Sequence, residues 1–136
     1  MSRSGYSDDI DNWELICWRG MVASSIRGKR GQQLLRDLLT ALEAMPVKRL
    51  IAYELIQANG EVCALGALGK ARGMDMSKID PEEPSQVGQS FNIAPCLAQE
   101  IAYMNDDWWR HDTPEQRWER MRDWTASQIK SLEGLT

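Results

Sequence analysis

Leu34, Leu35, Leu38, Leu39 and Leu42 recur at three- and four-residue steps, the spacing that lines one face of a helix. They predict a helix from Gln32 to Met45, stopped by Pro46, whose ring cannot continue the hydrogen-bond ladder. Ahead of it, Leu15, Trp18, Val22 and Ile26 form another stripe, predicting a helix from about Asn12 to Ile26 with Asp11 as its cap. Between the two lies "RGKRG", two glycines around two cations, which reads as a turn.

The period then changes. Leu50, Ile51, Tyr53, Leu55 and Ile56 make a β-rich run, Asn59-Gly60 is a hairpin turn signal, and Glu61-Val62-Cys63 fits a short return strand. "ALGALGKARG" reads as a short helix ended by Gly73. After a loop, Asp80-Pro81-Glu82-Glu83 resembles the start of a weak helix. A further helix is expected over Ala94 to Asn105, with Leu97, Ile101 and Met104 on one face and Pro95 in its first turn. Thr113-Pro114-Glu115-Gln116 carries a capping box and opens a last helix running to about Leu132, with Trp118, Met121, Thr125, Ile129 and Leu132 inward. The fold class expected is mainly α (α+β): five to six helices in one domain over residues 10–136, with one short β-hairpin near residues 50–63. Residues 1–9, polar and small, predict a frayed N-terminus.

A chain of 136 residues suits one domain that buries ~65–70% of its unfolded surface. The net charge is −4, unevenly spread: residues 1–73 carry ten Lys/Arg and eight Asp/Glu, residues 74–136 six and twelve. That balance argues against general coating of nucleic acid. Cys17, Cys63 and Cys96 fall in no metal-ligand spacing, so no metal or cofactor is expected. The odd cysteine count and the lack of a leading apolar segment predict a reduced, cytoplasmic setting. Without an apolar run of membrane length, no membrane partner is expected.

Four constellations bear chemistry. Cys63 at a helix start has a physical basis as a nucleophile, with His111 and Asn105 or Asp106 as partners. Its apolar, small-residue surroundings favour instead a buried plug that lets backbones pack closely, and no catalytic residue is assigned. Asn105-Asp106-Asp107 offers oxygen ligands too few for a cation site; Asn105 is expected to end a helix in left-handed conformation, the acids capping the next turn, or the pair to form a buried network. Arg27, Lys29, Arg30 and Arg36 form the candidate anion or nucleic-acid surface, beside the expected start of the second helix. Trp108, Trp109 and Arg110 are the candidate partner-binding element, for a foreign protein or for self-association.

"VCALGALG", then "IAYMNDD", then "TPEQRWERMRDWTASQI" resemble small proteins encoded in phages and prophages, from about Trp13 onward. Residues 50–131 are also similar to a bacterial domain-of-unknown-function family with a Cys-Ala-Leu-Gly-Ala-Leu segment and a later Asn-Asp pair. The resemblance implies a phage-type accessory protein, possessing no assigned activity and no requirement for histidine at position 111. A non-enzymatic role in binding a host or phage macromolecule, in counter-defence or regulation, is the function it favours. A nucleic-acid-binding module and a cysteine-dependent enzyme at Cys63 are the alternatives.

Overall fold

The computed structural model describes Arg3, residues 12–109 and residues 111–130. Six α-helices and one short 3₁₀ turn order these residues: α1 Asn12–Arg27, α2 Lys29–Ala44, α3 Ala64–Ala71, α4 Pro84–Phe91, α5 Pro95–Asp106 and α6 Pro114–Gln128, with the 3₁₀ turn at Met76–Lys78.

Four of the five leucines of the stripe are buried and Leu39, at its edge, is half-buried. Leu34, Leu35, Leu38 and Leu42 are buried along one side of α2, which packs against α1, α3 and α6. α5 crosses the other side of the core and touches α1, α3, α4 and α6, burying Leu97, Ile101 and Met104 as their common face requires. Phe91 and Met121 belong to the same buried core. The capping box at Thr113 forms in full: its hydroxyl accepts from Gln116 N at 3.1 Å, and the Gln116 side chain accepts from Thr113 N at 2.9 Å.

The expected break between α1 and α2 contracts to one residue. Gly28 alone is non-helical, and Lys29, Arg30 and Gly31 already belong to α2. Packing explains the shift. A Cβ at Gly31 would sit 1.9 Å from the Ser25 carbonyl oxygen, so only glycine lets the first turn of α2 fold back this tightly. Gln32 fills the corner: its amide donates to Ile26 O at 2.7 Å and Gln128 O at 3.1 Å, and its oxygen accepts from Lys130 N at 2.9 Å. That clasp meets the chain where α6 ends, at Gln128, earlier than its periodicity suggests; Leu132 lies outside the described residues.

The hairpin is not formed. Among the described residues there is no strand, only one antiparallel bridge between Ile56 and Val62, closed by the turn at Gln57–Gly60. The apolar run cannot stay extended, because Tyr53 adopts φ 71°. Its amides go to three different places: Leu50 N to Pro114 O, Ile51 N to Val62 O, and Tyr53 N to an Asp106 carboxylate oxygen. Burial of Leu50, Ile51 and Leu55 does not alternate as a strand would.

α4 also starts later than expected. Asp80 caps a turn, its carboxylate accepting from Glu82 N at 2.9 Å and its carbonyl from Glu83 N at 3.1 Å. Pro84 then takes the first helical position; deeper in a helix it would clash with the carbonyl of Asp80.

Candidate functional site

The short helix α3 lies so close to the loop before it that a Cβ at Gly66 would stand 1.8 Å from Leu55 O. This approach brings the α3 start against the end of α5, where a polar cluster is sealed in the core. Cys63, at the N-cap of α3, is 1% exposed, and its sulfur accepts from Gly66 N at 3.3 Å. Asn105 and Asp106 are equally buried. Asn105 Oδ1 accepts from Ala64 N at 3.1 Å, while its Nδ2 donates to Ile51 O at 2.9 Å and Asp106 Oδ1 at 2.7 Å. Asn105 therefore remains helical within α5. The left-handed ending expected for it does not occur, because the turn at Ile51–Tyr53 supplies backbone partners for both side chains.

Into this cluster reaches Arg3. Its Nε lies 2.5 Å from Asp106 Oδ2, its Nη2 2.8 Å from Asp106 Oδ1, and its Nη1 3.5 Å from Cys63 Sγ. Burial works against the guanidinium charge; the Cys63 sulfur and the Asp106 carboxylate more than offset it, holding Arg3 above the ordinary arginine value. Sequence reasoning missed this residue, placing it in a polar stretch expected to fray. Its signal was indirect: a buried Asp106 needs a cation, and nothing in spacing points to a partner 103 positions away. The other members of residues 1–9 lie outside the described residues.

The Cys/His/Asn arrangement is not assembled. His111 sits exposed on the surface, its ring edge-on to Trp109 at 6.1 Å, whereas the Cys63 sulfur is sealed beside Arg3. Asp106 presents its oxygens to Arg3, Asn105 and Tyr53 N, so they face no open cation site. Among the described residues no group of three His, Cys, Asp or Glu side chains could hold a metal ion.

Arg27, Lys29, Arg30 and Arg36 are all exposed. They do not flank an open loop, as the turn reading had it: Arg27 closes α1 and Lys29 and Arg30 open α2. Arg30 reaches Asn92 Oδ1 at 3.4 Å, and Lys130 Nζ donates to Arg27 O at 3.0 Å.

Trp108 and Trp109 follow α5 and are 56% and 57% exposed. Trp108 is anchored: its backbone N–H donates to Tyr103 O at 3.1 Å and its ring meets Tyr103 edge-on at 6.3 Å. It forms one wall of an open groove of about 560 Å³ with Met104, Arg120 and Trp124. Arg120 is fixed there by Asp112 Oδ2 at 2.6 Å and by the Met104 carbonyl. Arg110 lies outside the described residues. Among the described residues no helix is long and apolar enough to cross a membrane. No family model, curated protein or solved structure matches the chain.

Proposed function

We propose that this is a non-enzymatic accessory protein of phage or prophage type that acts in the bacterial cytoplasm by binding another protein through the surface around Trp108 and Trp109. The supporting observation is that two adjacent tryptophans are each more than half exposed on a segment anchored to Tyr103. Large aromatic side chains kept out of a core that has room for Phe91 and Met121 are the usual anchors of interface hot spots. The fixed Arg120 and the groove beside Trp124 add the polar rim such an interface needs. A counter-defence or regulatory target rests on the sequence resemblance alone.

Replacing both tryptophans by alanine is expected to leave stability within ~1 kcal/mol, since exposed positions contribute little to folding. The same variant should weaken partner binding at least ~30-fold, the loss of one hot spot of ~2 kcal/mol. Affinity capture from the bacterial host, followed by titration of the recovered protein, checks both; undiminished binding refutes the assignment.

Nucleic-acid binding is the second reading, favoured by the joint exposure of Arg27, Lys29, Arg30 and Arg36. It requires low-salt retardation of DNA or RNA that disappears in a Lys29→Glu/Arg30→Glu variant. A gel shift without retardation eliminates it.

A further inference from the structure

The groups that face the Arg3 guanidinium are held by bonds in which Arg3 takes no part. Asn105 is fixed between Ala64 N and Ile51 O, and it holds Asp106 Oδ1 from the side. Tyr53 N holds the same oxygen at 3.0 Å, and Gly66 N holds the Cys63 sulfur. Three separate elements, the 51–53 turn, the start of α3 and the end of α5, thus present one carboxylate edge and one sulfur with little freedom to rearrange. Arg3 meets this edge with two parallel N–H bonds to the carboxylate and a third to sulfur. Such a fork suits a planar guanidinium and cannot be reproduced by the point charge of an ammonium.

The approach to this edge is shaped for an alkyl stem. Arg3 lines a narrow gap with Leu55, Leu65, Pro81, Val87, Ala98 and Gln99. Without the Arg3 side chain, the gap and the vacated stem volume would join into one slot, walled among the described residues by apolar side chains and Gln99 and anionic at its end. An anion would meet Asp106 unfavourably, and a neutral apolar ligand would leave that carboxylate unpaired.

We propose that Asp106, Asn105 and Cys63 form a guanidinium-binding site, that Arg3 is its intramolecular ligand, and that the site takes an external alkylguanidinium once the Arg3 side chain is removed. The inference is independent of the tryptophan surface.

The test uses the full-length Arg3→Ala variant and methylguanidinium chloride at low-millimolar concentration, too little to denature. The variant is expected to melt below the wild-type protein, and methylguanidinium to raise its Tm by roughly 5 °C as the site fills. Methylammonium at the same concentration should give no such rise, and the wild-type protein, its site already occupied, should not respond. An Arg3→Ala/Asp106→Asn variant should also be silent. Should Arg3→Ala lack a cooperative transition, methylguanidinium should restore its near-ultraviolet circular dichroism. Failure of methylguanidinium to stabilise or restore the single variant overturns the proposal, as does an equal response in the double variant or to methylammonium.

Discussion

Asp106→Ala is expected to destabilise the protein by ~3–5 kcal/mol, the usual consequence of deleting one partner of a buried ion pair. The loss strands the Arg3 guanidinium in a region where its side chain is 3% exposed, and it removes the acceptor of Tyr53 N. Against a typical total of 5–15 kcal/mol, a fifth or more of the folding free energy is at stake. Urea unfolding should show a lower midpoint with an unchanged slope. An Arg3→Met/Asp106→Leu variant should recover the part of the loss that comes from the orphaned charge, while Tyr53 N still lacks its acceptor. A single Asp106→Ala variant within ~1 kcal/mol of wild type would mean that water reaches the pair, contrary to its burial.

Gly66→Ala should cost more than ~3 kcal/mol, at or above the upper end of overpacking effects. The added methyl would meet backbone, Leu55 O at 1.8 Å and Leu55 C at 2.9 Å, with Val62 Cβ at 3.1 Å. No side-chain rotation relieves such a contact; α3 or the preceding loop must move, and the Cys63–Asn105–Asp106 cluster with it. Gly20→Ala is the matched comparison. That glycine lies inside α1 with nothing within 4 Å of the added Cβ, so alanine should stabilise by up to ~1 kcal/mol. Thermal unfolding of the two variants side by side decides the matter: similar melting temperatures would contradict the close approach of α3.

What could be read from the sequence is what local chemistry determines. The leucines of α2 and the Thr113–Gln116 box need only neighbours within a turn or two, and both take their expected form. The short α3 ahead of Gly73 was equally legible. Long-range demands governed the rest. Residues 50–56 carry strand composition, yet amide partners on Pro114 and Asp106 bend the run at Tyr53. The pair of glycines around Lys29 and Arg30 looks like a turn, but Gly31 serves close packing against Ser25. Cys63 was readable as a small buried residue; that its sulfur also receives an arginine was not, because Arg3 comes from a stretch whose composition suggests nothing buried. Trp108 and Trp109 are adjacent just past the end of α5, and both remain more than half exposed.

Gln32 joins parts of the molecule that lie far apart along the chain. Its one side chain holds the last turn of α1 through Ile26 O and the exit of α6 through Gln128 O and Lys130 N. Loosening at the tail of α6 is therefore not a private event of that helix, since it strips bonds from the α1–α2 corner too. Amide protons at both places should open to solvent as one unit rather than by independent fraying.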